Sequence, residues 1–219
     1  MNSDITRRQF LKATGALVVA FGLPVDLRAQ SAPALRTSGG PLAPNQLDSW
    51  LTIRQDGMVT VMTGKVELGT GVSTALRQIV AEELDYPFEK ISWIQGDTAN
   101  TVDQAPTFGS QTIKRGGGQL RQAAAEAKAT LLSLASARLG VPTEQLTVAQ
   151  GVISDPGNPK KKVSYADLIG GQRFNRDVTG KLRPKSTTAY NIVGKPVRRV
   201  DVPFKVTGTH TYMQDLRIP

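Results

Sequence analysis

The sequence predicts an α+β fold, with an α/β arrangement as the alternative, for a unit of about 120 residues from Asp48 to Ile169. Some segments of this stretch space their apolar residues as strands do, and others space them as helices do. The order is strand, helix and strand, and then helix, strand and strand. Glycine and proline separate these segments, which indicates where each element begins and ends.

A hairpin, a helix and a strand account for the first part of the unit. The segment WLTIRQDGMVTVMTG alternates polar and apolar residues on both sides of Asp56-Gly57, which predicts a β-hairpin. The segment STALRQIVAEEL predicts a helix that ends before Pro87, with an apolar face formed by Leu76, Ile79, Val80 and Leu84. Glu82 and Glu83 are expected on the solvated face of this helix. The segment KISWIQGD predicts a buried strand.

The second part begins with a long polar loop, TANTVDQAPTFGSQTIKRGGG, and loops of such length are usually functional or disordered. The longest predicted helix follows and stops at Gly140 and Pro142, with one face formed by Leu120, Ala124, Ala127, Leu131 and Leu134. Short strands and a short helix capped by Ser164 complete the unit. Beyond it, NRDVTGKLRPKSTTAYNIVGKPVRRVDVP is predicted to be extended, and KVTGTHTYMQDLRIP alternates like a strand.

The N-terminus predicts an export signal. Arg7 and Arg8 precede a short apolar stretch, Ala13 to Phe21, and Ala29 offers a small-residue cleavage site. This combination indicates a twin-arginine signal peptide over residues 1–29 and a periplasmic location. A membrane anchor needs about 20 apolar residues, so membrane contact is expected only through the signal. Residues 30–46, rich in Pro, Gly, Ser and Ala, are predicted to form a flexible linker.

The composition limits the chemistry of the chain. Its 219 residues include no cysteine and one histidine, His210, which excludes disulfides, thiolate metal sites and an all-histidine zinc site within the chain. A metal or redox centre must therefore be held mainly by backbone and hydroxyl groups, or be supplied by another chain. The net charge is +9, but the basic residues are scattered without interleaved aromatics, which argues against a nucleic-acid partner. The cluster Lys160–Lys162 is predicted to be a solvated hairpin tip.

The segment TGKVELGTG places Gly69 and Gly71 on either side of one residue, directly before the first predicted helix. Glycine allows positive φ and lets backbone N–H groups approach a ligand closely. The helix that starts near Ser73 directs its free N–H groups and the positive end of its dipole toward this loop, which suits a phosphate or another anion. A tight strand-to-helix turn uses glycines in the same way, and both interpretations stay open.

The stretch GKVELGTGVSTALRQIVAEELDYPFEKISWIQGDT, followed by PTFGSQT and a helix, resembles the molybdopterin-binding large subunits of the xanthine dehydrogenase and aldehyde oxidase family. The most similar branch contains isoquinoline 1-oxidoreductase and nicotinate dehydrogenase large subunits. The resemblance implies an α+β cofactor-binding unit of mixed sheet and helices at residues 47–172 and a linker at 173–197. At residues 198–219 it implies the start of a small α/β module of the aldehyde oxidase/xanthine dehydrogenase a/b hammerhead type.

The resemblance also implies which residues contact a cofactor. The family's first loop maps on Glu67, Leu68, Gly69, Thr70 and Gly71; its second loop maps on Thr107, Phe108, Gly109 and Ser110, with Gln111 adjoining. In the family these loops contact the molybdenum–molybdopterin cofactor, here expected in the cytosine dinucleotide form, whose dithiolene sulfurs hold the metal. Thr70 departs from the family by replacing a longer glutamine. Phe108 replaces a small residue, so it either narrows the pocket or packs.

By this resemblance the chain is the N-terminal part of the large subunit of a periplasmic molybdenum hydroxylase that oxidises aldehydes or N-heterocycles. The implied partners are the remainder of the large subunit or a split counterpart, a small [2Fe–2S] subunit that carries the iron–sulfur clusters, and a cytochrome c. No residue of this chain matches the family's catalytic glutamate, so no catalytic residue and no metal ligand is predicted here. The alternatives are a non-catalytic periplasmic binding module and an inactive gene fragment.

Overall fold

The computed structural model describes residues 42–217. The predicted signal peptide and most of the predicted linker lie outside the described residues. Within them, the chain forms two three-stranded sheets together with two long helices and two short ones. One sheet contains both parallel and antiparallel pairs, and helices and strands both contribute to the core, so the α+β prediction is confirmed.

The first sheet has the strand order β1–β2–β3, with β1 at Leu51–Ile53, β2 at Val59–Thr63 and β3 at Ile91–Gln95. β1 and β2 are antiparallel and form the predicted hairpin. Its turn is stabilised by the Asp56 carboxylate, which accepts the Met58 N–H at 2.9 Å. β2 and β3 are parallel, and helix α1 at Val72–Leu84 connects them. The chain therefore crosses from β2 to α1 at one end of the sheet, where the glycine-rich segment lies.

Helix α2 has two parts: a π-helical start at Thr112–Gly117 and a regular α-helix at Gly118–Leu139. The second sheet follows it and is antiparallel, with β4 at Thr147–Ala149, β5 at Val152–Asp155 and β6 at Asn158–Ser164. Helix α3 at Tyr165–Ile169 begins with a reciprocal capping box between Ser164 and Asp167, which confirms the predicted cap.

The core is formed by α1, α2 and the first sheet, and Ile153 of β5 and Tyr165 of α3 are buried in the same cluster. The fully buried side chains include Leu76, Val80 and Leu84 of α1 and Leu120, Ala124, Ala127 and Leu131 of α2. The prediction for Leu134 is wrong: this side chain is 38% exposed, whereas Ala135 is buried. The buried stripe of α2 continues from Leu131 to the residue four positions on, and not to the one three positions on. Both spacings place side chains on the same helix face, so the pattern alone does not distinguish them.

Glu82 and Glu83 are not on a solvated face, which corrects the sequence-based expectation. Their relative exposures are 1% and 2%. Both carboxylates are covered by residues 174–200, here named the strap, which crosses α1 and α2. The strap is extended as predicted, with one 3₁₀ turn at Thr187–Ala189. Two adjacent glutamates in a helix pattern give no sign of such a partner, because the partner lies about 100 residues further along the chain.

The predicted strand after the strap is also wrong. Residues Val202–Val206 form helix α4, and Met213–Asp215 form a 3₁₀ turn. Pro203 suits the first turn of a helix, and the Lys205 ammonium bonds the Asp201 carboxylate one turn away at 2.6 Å. In residues 42–217, no helix is long and apolar enough to cross a membrane.

Candidate cofactor-binding site

The glycine-rich segment, residues 64–71 and here named loop 1, is organised by its own carboxylate. Glu67 Oε1 accepts the N–H of Gly71 at 2.8 Å, and Oε2 accepts the N–H of Ser73 at 3.0 Å. Gly71 has φ 84° and directly precedes α1, so a residue with a Cβ would be strained there. The loop therefore ends in a fixed turn whose amides point back at Glu67.

The Glu67 carboxylate occupies the N-terminus of α1, where the sequence predicted a site suited to an external anion. Burial alone raises the pKa of Glu67, but the amide hydrogen bonds from Ser73 and Gly71 outweigh it, so the pKa lies below its ordinary value. Glu67 is thus an anion held at the N-terminus of α1. The strand-to-helix turn interpretation is correct for the amides of Gly71 and Ser73, and the remaining groups of loop 1 are the ones available to a ligand.

The polar loop before α2, residues 96–111 and here named loop 2, is tied to loop 1 by a buried lysine. Lys65 is 3% exposed, and its ammonium donates to the carbonyl oxygens of Ala105 at 2.9 Å and Pro106 at 2.8 Å. The backbone N–H of Val66 donates to the Thr107 hydroxyl at 3.0 Å. These bonds hold Ala105 at φ 61°, a conformation that is unfavourable for alanine without such support.

A buried glutamine makes a second connection. Gln104 Oε1 accepts the Thr63 hydroxyl at 2.5 Å and the Gly64 N–H at 2.9 Å, and its Nε2 donates to Gln119 at 2.9 Å. The end of β2, loop 2 and the start of α2 are thereby joined through one side chain. Lys65 donates to carbonyl oxygens of loop 2, and Gln104 bonds Thr63 and Gly64 at the start of loop 1. These bonds fix the position of one loop relative to the other.

Between the loops lies a groove of about 280 Å³. It brings together residues of both predicted segments: Leu68, Thr70, Val72, Thr107, Phe108, Gly109, Ser110, Thr112 and Ile113. Phe108 is 67% exposed and Leu68 is 65% exposed. Of the two roles considered for Phe108, the structure favours the one at the groove, since most of this ring makes no packing contact.

The other predicted residues lie beside the groove. Gly71 and Gln111 are not among its lining residues, although both end the loops that form it. Gln111 directly precedes α2, and its side-chain amide donates to the Gly109 carbonyl oxygen at 3.1 Å. Glu67 and Gly69 line a second cavity on a different side of loop 1, together with Leu68, which reaches both. Six of the ten predicted residues therefore share the groove, and the other four lie outside its lining.

Sequence reasoning missed three residues that position the loops: Lys65, Gln104 and Arg199. The Arg199 guanidinium donates to the Gly69 carbonyl oxygen at 3.2 Å, which connects the end of the strap to loop 1. Lys65 carried one weak signal, a charge placed two residues after a strand that is buried throughout. Gln104 stood in a polar stretch with no pattern that distinguished it. Arg199 belonged to a basic pair, Arg198–Arg199, which gave no sign of a contact with loop 1.

The donor set of the groove fits an organic cofactor better than a bare metal ion. Its polar side chains are the hydroxyls of Thr70, Thr107, Ser110 and Thr112, which lie beside the nearby backbone, and Ser110 is held at φ 58°. Among residues 42–217 there is no group of three or more His, Cys, Asp or Glu side chains that could hold a metal. Ligand pockets commonly measure about 300–1,000 Å³, so this groove suits one part of a larger molecule.

Comparison with known proteins identifies the family. Residues 30–211 match the family model of the molybdopterin cofactor-binding domain. The chain therefore belongs to this family, the cofactor-binding part of xanthine dehydrogenase-type molybdenum enzymes. The match includes both loops, the strap and most of the residues after it. The predicted domain boundaries near residues 173 and 198 stay predictions.

Relatives give the particular branch. The chain is 36% identical over 216 residues to a nicotinate dehydrogenase subunit of Pseudomonas putida, covering 98% of this chain and 18% of the relative. It is 27% identical to the isoquinoline 1-oxidoreductase beta subunit of Brevundimonas diminuta, covering 98% of this chain and 32% of the relative. A third relative, 27% identical over 99% of this chain and 28% of its own length, is the membrane-bound aldehyde dehydrogenase (pyrroloquinoline-quinone) of Gluconacetobacter polyoxogenes.

A solved structure shows the same fold. Reconstituted CO dehydrogenase from Oligotropha carboxidovorans superposes with a TM-score of 0.50 at 27% sequence identity, over 54% of this chain and 15% of that one. The chain thus spans less than a third of the length of each of these curated relatives, and their whole activities belong to much longer proteins.

Proposed function

We propose that this chain is the N-terminal cofactor-binding part of the large subunit of a periplasmic molybdenum hydroxylase. The observation that carries the proposal is the groove, because it joins the two family loops, Leu68–Thr70 and Thr107–Ser110, across the end of the first sheet. The relatives named for nicotinate and isoquinoline support an N-heterocycle as substrate, and the one named an aldehyde dehydrogenase supports an aldehyde.

The residues of this chain bind and orient the cofactor. Loop 1 and loop 2 offer backbone groups and hydroxyls to the polar edge of a molybdopterin, in its cytosine dinucleotide form. Glu67, Lys65 and Gln104 keep the loops in place. When bound, the molybdenum centre supplies transfer of a water-derived oxygen to a substrate carbon and receives the electrons. The groove walls from Leu68 and Phe108 exclude water from the cofactor edge that they cover.

The proposal includes partners. Two relatives are named as subunits, which supports an assembly of several chains. Since the chain spans less than a third of these relatives, the remainder of the large subunit, or a split counterpart, completes the cofactor site and supplies the catalytic base. Electrons then leave through a small [2Fe–2S] subunit and a cytochrome c.

Metal and cofactor analysis tests the proposal. The chain is purified alone, and also together with the gene products encoded beside it, from cells that make the molybdenum cofactor. Molybdenum and oxidised pterin are measured per chain. We expect both at close to one per chain in the assembly and neither in the chain alone. An assembly that contains pyrroloquinoline quinone without molybdenum, or no cofactor at all, contradicts the proposal.

Export is a separate part of the proposal, motivated by Arg7 and Arg8 before a short apolar stretch. Changing both arginines to lysine should leave the protein uncleaved in the cytoplasm, because the export machinery reads the arginine pair. Cell fractionation with N-terminal sequencing measures this. If the doubly changed protein still reaches the periplasm in cleaved form, the twin-arginine assignment is wrong.

A further inference from the structure

The second cavity beside loop 1 has a different chemistry from the groove. It measures about 670 Å³ and lies between the start of α1, the end of β3 and residues 200–212. Four aromatic side chains line it: Trp93, Phe204, His210 and Tyr212. The charged side chains of its wall are Arg77, Lys205, Glu67 and Asp201. Aromatic walls with a few placed charged groups are typical of sites that bind small planar ligands.

Arg77 is the cation of this cavity that lacks a partner. Within residues 42–217 no carboxylate forms an ion pair with it, and its buried Nε atom donates no hydrogen bond. Its guanidinium lies over the Trp93 ring, 5.8 Å from the centroid. Burial lowers the pKa of Arg77, so the folded chain carries a partly desolvated charge at a cost in free energy. A bound anion relieves that cost.

The other cations near the cavity have an ion-pair partner. Asp201 accepts from the Arg199 guanidinium at 2.7 Å and from the Lys205 ammonium at 2.6 Å, and its one negative charge offsets one of their two positive charges. Glu67 is occupied by the amides of Gly71 and Ser73. Among the described lining residues, Arg77 is therefore the cation without an ion-pair partner, and two carboxylates on the wall repel a ligand of higher negative charge.

We propose that this cavity is a binding site for a small aromatic carboxylate, distinct from the cofactor groove. The planar guanidinium of Arg77 pairs with the carboxylate, since the fork of its donors matches that group's geometry. Trp93, Phe204 and Tyr212 contact the ring. Gln95 adds a donor: its Oε1 accepts from the Ser73 hydroxyl at 2.9 Å and the Trp93 indole at 3.0 Å, which leaves its NH₂ group available.

Benzoate is the probe for this site, and the purified chain is sufficient because the proposal does not depend on bound cofactor. The chain has two tryptophans, and Trp50 is only 3% exposed in the core, so a fluorescence change reports Trp93. We expect benzoate to change the fluorescence with saturation and to release heat in calorimetry. Benzamide, which has the same shape without charge, should bind at least about 10-fold more weakly, as should inorganic phosphate, which lacks the ring.

Arg77→Gln tests whether the guanidinium binds the carboxylate of benzoate. It removes a buried unpaired charge, so the fold should keep its stability while benzoate affinity falls at least about 10-fold. Arg54→Gln is the control, because Arg54 lies on the β1–β2 hairpin and pairs with Asp56 at 2.6 Å, away from the cavity. Trp93→Phe should lose the fluorescence signal and keep most of the calorimetric one. Equal binding by Arg77→Gln, equal binding of benzamide or phosphate, or no saturation below about 10 mM benzoate overturns the proposal.

Discussion

At the scale of residues, the fold is held by buried carboxylates that accept backbone amides. Glu82 Oε2 accepts the N–H groups of Asn191, Ile192 and Val193 at 2.9, 2.6 and 2.9 Å, and its Oε1 accepts the Lys185 ammonium at 2.5 Å. A single charge thereby satisfies donors that would otherwise be buried without partners. Hydrogen bonds to a charged acceptor are among the strongest in proteins, which explains how a segment without regular structure stays fixed.

Glu82→Gln tests this role. The amide keeps the shape of the side chain but loses the charge. Its NH₂ group is itself a donor, and it faces either the Lys185 ammonium or the N–H groups of the strap, which are donors too. We expect the free energy of unfolding to fall by about 3 kcal/mol, as for other broken buried pairs. Urea unfolding followed by circular dichroism measures it. Glu89→Gln, at an exposed position, is the control and should change stability by less than about 0.5 kcal/mol; equal effects of the two variants contradict the prediction.

Acid should weaken the same contacts. Burial raises the pKa of Glu82 and of Glu126, but hydrogen bonds to Lys185 and to strap amides outweigh it, so both pKa values lie below 4.5 in the folded chain. Below pH 4.5 the unfolded chain therefore binds more protons than the folded one. The stabilisation is complete above that value and is lost as the pH falls through the lowered values.

Urea unfolding at a series of pH values from about 6 to about 3 checks this pH dependence. We expect the free energy of unfolding to fall as the pH drops below about 4.5. Glu126→Gln should start from a lower stability and fall less steeply. A native protein whose stability is flat over this range, or a variant with the same slope, is inconsistent with the assignment.

At the scale of elements, the end of β2 and loop 2 approach each other closely. Gly64 follows β2, and a Cβ at this position would overlap the Val102 carbonyl oxygen and lie 3.1 Å from Gln104 N. Neither atom can move away easily, because both belong to the backbone of loop 2. The glycine is therefore required for the distance between the loops, and not for an unusual φ.

Gly64→Ala and Gly118→Ala form a matched pair that tests this packing. Gly64→Ala should cost about 2 kcal/mol by overpacking. Gly118 lies in α2 with φ −62°, and a Cβ there meets nothing within 4 Å, so Gly118→Ala should stabilise the chain by about 0.5–1 kcal/mol. Thermal and urea unfolding distinguish them. If both variants change the free energy of unfolding in the same direction, Gly64 is not required for the distance between the loops.

The elements that could be predicted from sequence are those fixed by local pattern. The hairpin at Asp56-Gly57, the stripe of α1 and the Ser164 cap depend on neighbouring residues, and each is present in the structure. The π-helical start of α2 could not be predicted, because its geometry accompanies contacts of Gly116 with Lys65 and Gln104 from other elements. The loops of the candidate site were found by resemblance, and the residues that position them emerged from the fold.

At the scale of the whole molecule, the strap connects the core to the candidate site. It begins at Phe174, whose N–H donates to Asp48 at 2.8 Å, and crosses Glu126, Glu83 and Glu82 in turn. It ends at Val200, whose N–H donates to the Thr74 hydroxyl at 3.1 Å, next to loop 1. A segment whose composition predicts a linker is therefore a structural component of the site.

Limited proteolysis tests the strap. Glu126 accepts the N–H groups of Thr179 and Gly180, both at 2.7 Å, directly before the tryptic site at Lys181. Glu126→Gln should speed cleavage after Lys181 several-fold, because a protease needs the segment to detach locally. Mass spectrometry of fragments gives the rates, with Glu89→Gln as the control. Rapid cleavage of the native chain after Lys181, or equal rates in the native chain and Glu126→Gln, would contradict this role of the strap.

Loop 1 and loop 2 are proposed to hold the molybdenum cofactor, and the cofactor occupancy of a loop variant tests this proposal. Gly71→Val and Gly194→Val share the same strain, since both glycines have φ 84°, but Gly194 lies in the strap with nothing near its Cβ position. In the co-purified assembly, Gly71→Val should lower molybdenum and pterin per chain at least about 10-fold, because the branched side chain disturbs the loop. Gly194→Val should leave both unchanged. Full occupancy in Gly71→Val, or an equal loss in both variants, would contradict the claim.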